Sequence, residues 1–159
     1  MADLKGKTVA GPKGTVLHQL LAAALAREGM SVQQVNFVQM DLPQAFAAVQ
    51  SGKTDAALLA ANFVLNAQKD GAHVLARATG LLTPLLTMTA SEKFLKAHPD
   101  RVQAVVAAHD EAWQWIQAHR EEAIALGARL QNVSEQEARQ LYDWTHFTQR
   151  LSESDFRAL

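Results

Sequence analysis

Gly11, Pro12, Lys13, Gly14 and Thr15 stand where an apolar run, Thr8-Val9-Ala10, gives way to an amphipathic pattern starting near Val16. A strand, a glycine-bearing turn and a helix start, in that order, can bind an anion through backbone amides. The first turn of a helix leaves N–H groups without intrahelical partners, and a glycine has no Cβ to hold ligand oxygens away from them. Gly14 is the glycine placed for this, and the Thr15 hydroxyl serves either as helix cap or as ligand donor. Lys13 can pair with an anion or simply stay solvated. His18, one turn into the helix, either faces the same cleft or lies at the surface. The plainer account of Gly11 and Gly14 is that they only permit a tight connection.

The elements that would position these residues are short apolar runs alternating with helical patterns. Val35-Asn36-Phe37-Val38, Ala56-Ala57-Leu58-Leu59 and His73-Val74-Leu75-Ala76 read as strands, and Leu17, Leu20, Leu21, Ala24 and Leu25 repeat as one helical face that ends at Gly29. A second helix is expected over about 42–50, with Asp41 as cap, Ala45, Phe46 and Val49 inward and Gly52 as the stop. A third lies between Asn62 and Asp70. This alternation favours a parallel sheet covered by helices. In such a sheet ligands bind beyond the carboxyl ends of the strands, which directs attention to Gly11 to Thr15, to Gln39-Met40-Asp41 and to Ala60-Ala61-Asn62. Asn62 brings a carboxamide able to donate and accept, and capping the following helix is its competing role.

Beyond Ser91 the pattern is helical throughout. Pro99 and Asp100 mark a helix start, and Val102, Val105, Val106, His109, Ala112, Trp113 and Ile116 form a stripe expected to face inward. Glu121 and Glu122 suit the first turn of another helix. Ser134 with Glu137 has capping-box spacing, and Ser152 with Asp155 offers a looser cap flanked by a Leu151–Phe156 staple. The expectation is an α/β ligand-binding lobe over 1–89, with a parallel-rich sheet flanked by helices, then a helical segment over 90–159 that packs on or bridges from it.

The 159 residues, 48% hydrophobic and 19% charged, are enough for a real core. Fifteen basic and sixteen acidic residues without long runs of either sign argue against nucleic acid or an anionic membrane as partner. Cysteine is absent, which removes disulfides and thiolate chemistry. The six histidines lack His-x-x-x-His or His-Glu-x-x-His spacing, so no metal site is expected. The turn at 11–15 lacks the ending of a nucleotide P-loop and the third glycine of a dinucleotide fingerprint, so no cofactor is expected either. Trp113, Trp115, Tyr142, Trp144 and Phe147 concentrate the aromatics at helical spacing, as core or interface residues do.

The order and spacing of several segments resemble the second lobe of periplasmic substrate-binding proteins of the nitrate, sulfonate and taurine class, which includes thiamine-pyrimidine binders. The segments are Asp3 to Ala10 leading into Pro12-Lys13-Gly14-Thr15, Leu21 to Gly29, Ala45 to Ala56, Gly80-Leu81-Leu82, Thr87 to Pro99, and Ala112 to His119 with Glu121-Glu122-Ala123. The resemblance implies a type II periplasmic-binding fold, in which two α/β lobes close over a small ligand without covalent chemistry, serving the membrane permease of an ABC importer. By position, Gly14 and Thr15 match the turn that touches the ligand's acidic head, and Asn62 falls near a ligand-facing position. Where relatives often carry an aromatic or acidic residue, this chain has Leu59-Ala60-Ala61-Asn62-Phe63. The same resemblance implies that a full-length relative has a first lobe ahead of the stretch matched here and works outside the cytoplasm. It also implies apolar surface where that lobe would sit, weak ligand binding by this stretch alone, and a homodimer as one way to cover the surface. Two other functions use this fold: the effector-binding domain of a transcription regulator, and a thiamine-pyrimidine synthase.

Overall fold

The structure is a computed structural model, and it describes residues 1–82 and 87–145. The chain divides into two compact units, Met1–Leu86 and Thr87–Leu159. The first holds three strands, β1 (Thr8–Gly11), β2 (Asn36–Gln39) and β3 (Ala56–Ala57), with helices α1 (Val16–Arg27), α2 (Leu42–Gln50) and α3 (Asn62–Lys69). All the strand pairings are parallel, in the order β2-β1-β3. β1 is central and covered on both faces, so Val9 and Ala10 are almost completely buried. Leu4, Val9, Leu21, Leu25 and Val35 make the core, and Met30, Phe37, Ala56 and Leu58 close around it.

Local chemistry sets the boundaries of these elements. The Asp41 carboxylate accepts the Gln44 N–H at 2.9 Å and starts α2, as its position in the sequence requires. Asp55 accepts the Thr8 N–H at 2.8 Å and pairs with Lys7 at 3.4 Å, which ties the start of β1 to the residue before β3. The backbone donor of Thr8 and the ammonium of Lys7 hold the Asp55 carboxyl below its usual range against the opposing effect of desolvation.

Two strand expectations change in this unit. Residues 73–76 form no strand: Val74 and Leu75 are 38% and 55% exposed, and no neighbouring chain supplies a ladder among the described residues. Regular pairing of β3 ends at Ala57, although Leu58 still donates to the Ala10 carbonyl at 2.8 Å.

The second unit consists of α4 (Glu92–Ala97), α5 (Pro99–Ala118), α6 (Arg120–Gln131) and α7 (Glu135–Trp144). Pro99 begins α5 and the Ser134–Glu137 capping box begins α7, as the sequence indicates. α6 and α7 pack through Ile124, Ala128 and Ala138. The inward stripe expected on α5 is not buried: no residue of that helix is, and Val105, Val106 and His109 are exposed. Within the unit α5 meets α4 and α6, and neither covers that face. Phe147 and the expected Ser152–Asp155 and Leu151–Phe156 contacts lie outside the described residues. No helix among the described residues is long and apolar enough to cross a membrane.

Candidate functional site

The β1–α1 junction has the shape its composition demands. Gly14 has φ +74, a left-handed conformation in which a side chain is strained. Gly11 answers a different need: a Cβ there would lie 2.6 Å from the Leu58 Cβ, because parallel register sets Leu58 beside it. Both glycines are therefore required by the backbone and by packing, whether or not a ligand is present.

Thr15 sits at the N-cap of α1 with extended backbone, yet its side chain does not cap the helix. Its hydroxyl donates instead to the Pro12 carbonyl at 2.9 Å, bracing the turn. The cap role considered for Thr15 is thus replaced by a turn contact, and the oxygen lone pairs remain available as acceptors. Lys13 is exposed at the tip of the turn. His18 takes a position that sequence spacing alone does not specify: its Nδ1 accepts the Gly14 N–H at 3.4 Å, and its ring packs on Phe37 with centroids 4.7 Å apart. An Nδ1 that accepts is unprotonated, so in the neutral ring the proton is on Nε2, which is buried and has no partner.

At the β3–α3 junction Asn62 is the first residue of the helix, and the cap position belongs to Ala61. Asn62 is therefore not the cap of α3. Ala61 has φ +49, a strained value for a residue with a side chain, and it offers no capping oxygen. Since β1 and β3 are parallel neighbours with Gly11 beside Leu58, the starts of α1 and α3 open at the same edge of the sheet. Gly14, Thr15 and Asn62 all follow the carboxyl ends of these two strands. At the third junction, after β2, the Asp41 carboxylate is committed to capping α2.

The same unit contains an apolar groove of about 550 Å³, lined by Leu17, Leu20, Phe46, Val49, Leu58 and Leu75 among others. Gly14, Thr15, Asn62, Lys13 and His18 do not line it. Leu58 belongs to both features: it lies over Gly11 and forms part of the groove wall. Its role escapes sequence reasoning because it depends on strand register rather than on residue type. Among the described residues no cluster of three or more His, Asp or Glu side chains is arranged to hold a metal ion.

A family profile described as "NMT1/THI5 like" matches residues 1–123, well over half of the chain. The chain belongs to the NMT1/THI5-like family. This NMT1/THI5-like chain is 32% identical over 118 residues to a Brachyspira hyodysenteriae protein provisionally named an ABC transporter periplasmic binding protein, covering 74% of this chain and 34% of that one. It is 31% identical over 134 residues to an Escherichia coli protein provisionally named an aliphatic sulfonates-binding protein, covering 84% and 42% respectively. In three dimensions it is similar to the alkanesulfonate-binding protein of Xanthomonas axonopodis pv. citri bound to MOPS, with a TM-score of 0.84 and 25% identity over 99% of this chain and 55% of that one. The periplasmic aliphatic sulphonate binding protein of Escherichia coli gives a TM-score of 0.69 at 28% identity, over 89% of this chain and 49% of that one. The chain thus spans less than half of these curated relatives and about half of these solved chains. The fold class is that of a periplasmic-binding-protein lobe with a parallel sheet, in a chain that is mostly helical.

Proposed function

We propose that this chain is part of the solute-binding component of an ABC-type importer, recognising a small organic anion without chemical turnover, with sulfonates as the leading class. The observation that carries the reading is the similarity to an alkanesulfonate-binding protein with a sulfonate buffer bound, together with a glycine turn and two helix starts at one sheet edge. In this reading the amides at Gly14 and Thr15 meet the anionic head, the Thr15 hydroxyl braces the turn through the Pro12 carbonyl, and Asn62 donates through its carboxamide. Lys13 adds positive charge at the rim, and His18 belongs to the same site. The partner is a membrane permease and the place of action extracytoplasmic, both in keeping with the relatives' names. Taurine and nitrate are the other candidate ligands. Self-association through exposed apolar residues such as Val105 and Val106 is a separate proposal resting on their exposure alone.

A thermal-shift panel on the 159-residue chain with ethanesulfonate, taurine, sulfate and nitrate tests the reading. A ligand at about 100 times its Kd stabilises the native state by roughly 2.7 kcal/mol when it binds that state alone. A response to ethanesulfonate that weakens when Asn62 is replaced by Ala supports the proposal. Since binding by this stretch alone is expected to be weak, each anion is titrated to the highest concentration that a matched chloride control tolerates, and flat melting curves with all four anions there overturn it.

A further inference from the structure

We propose that His18 is a latch on the anion site, its neutral imidazole holding the Gly14 amide that a bound anion would otherwise take. The identity of the competitor rests on the anion-binding reading above; the contact itself does not. At 3.4 Å the bond from Gly14 N–H to Nδ1 is long, so it can yield to a stronger acceptor. The ring is nevertheless held in place, since Phe37 packs against it at 4.7 Å with the planes tilted by 41°. Nε2 carries the proton and is buried without a partner, which makes this a costly place for an imidazole. The Gly14 contact and the Phe37 packing are what offset that cost. Of the two, only the Gly14 contact is one that an anion can replace.

The latch has a consequence for selectivity. A sulfonate or similar oxyanion offers a charge-assisted acceptor stronger than a neutral imidazole nitrogen, so it displaces His18 from the amide. A neutral solute with a weak acceptor does not, and the Gly14 N–H stays occupied. Thr15, already bonded to Pro12, keeps the turn in shape while the amide changes partner. His18 is thus a positioning and selecting residue, acting on the ligand through Gly14.

The test compares the wild-type 159-residue chain with His18→Phe, which keeps an aromatic ring against Phe37 but has no acceptor nitrogen. Amide hydrogen exchange at Gly14 is followed by NMR, and ethanesulfonate affinity by calorimetry. The expected result is Gly14 exchange about three- to tenfold faster in His18→Phe and ethanesulfonate binding tighter by a similar factor, the scale of one neutral hydrogen bond. His18→Gln, whose carboxamide oxygen can accept, should restore slow exchange. In the wild type, saturating ethanesulfonate should shift the His18 Nδ1 resonance, an arm that needs no variant to fold. Unchanged Gly14 exchange in His18→Phe, weaker ethanesulfonate binding in that variant, or an unmoved Nδ1 resonance at saturation each overturns the latch. If no protein binds ethanesulfonate, the anion reading fails, and the exchange comparison still decides whether His18 holds the amide.

Discussion

The two units of this chain are held together by different physics. In the first, a central strand is buried on both faces, and Leu25, Val9 and Ala10 lie at or below 1% exposure. In the second, α6 and α7 share a small core of Ile124, Ala128 and Ala138, and exposed ions surround it. Arg139 grips both oxygens of Glu121 at 2.8 and 2.5 Å, Arg120 reaches Asp143 at 2.6 Å, and the Arg120 guanidinium lies over the Tyr142 ring. Apolar burial is not weakened by charge screening, whereas exposed ion pairs are weak and screened. The difference teaches where positional precision resides. The residues proposed to meet ligand lie in the turns and first helical turns that follow strands of the buried sheet, and the helical unit depends more on solution conditions.

The largest expected effect that would break this contrast is in the first core. Leu25→Ala should cost about 2–5 kcal/mol in urea unfolding, as removal of a fully buried leucine does; a loss below about 1 kcal/mol would mean that the sheet is not what holds that unit. Next comes Gly11→Ala, whose Cβ meets the Leu58 Cβ at 2.6 Å, and overpacking of this kind costs about 1–3 kcal/mol. Adding Leu58→Gly, which removes that Cβ, should recover part of that loss in a double-mutant cycle, and strict additivity would remove the register argument.

The helix caps sharpen the comparison, because each unit holds at least one made by a side chain. Asp41→Ala on α2 and Ser134→Ala on α7 should each cost about 1 kcal/mol, and a difference beyond about twofold, read by chemical denaturation, would show that context outweighs the cap. The smallest effect concerns Glu121. The paired guanidinium of Arg139, helped by Arg120, holds its carboxyl down at about 2 against an ordinary 4.5. A depressed carboxylate stabilises the fold above its unfolded value and loses that contribution as pH falls through its folded one. The α6–α7 contact should therefore be at full strength above pH 4.5, weaken on approach to pH 2, and be less pH-sensitive in about 1 M salt, where the screening length is near 3 Å. Chemical shifts of Glu121 against pH check this, and a midpoint near 4.5 at low salt would mean that the clamp does not form in solution.

Much of the first unit was legible in the sequence because its signals are local. Asp41 before an apolar helix, the glycine turn after Val9-Ala10 and the alternation of short runs with helical patterns all act within a few residues. What was not legible depends on neighbours distant in the chain. His73-Val74-Leu75-Ala76 has strand composition, but a strand exists only where another chain segment accepts its hydrogen bonds. The α5 stripe has helical periodicity, which says that a face is apolar and not that anything covers it. At the candidate site, Gly14 and Thr15 could be named from the turn and Asn62 from its place after an apolar run. That Ala61 takes the cap, that Thr15 turns to Pro12, and that His18 occupies the Gly14 amide follow from backbone torsions that residue identity leaves open.

The central place of β1 governs the order in which the sheet can be assembled. Its two flanking strands come later in the chain, and the clasp between Thr8 and Asp55 closes a separation of 47 residues. Contacts that distant carry a large chain-entropy cost before they return any stabilisation, which slows parallel sheets relative to helix pairs. During synthesis the first strand must wait, pairing with β2 once α1 has turned the chain back and receiving β3 last. The edge proposed to face ligand, which requires both β1 and β3, is thus among the final parts of the lobe to exist.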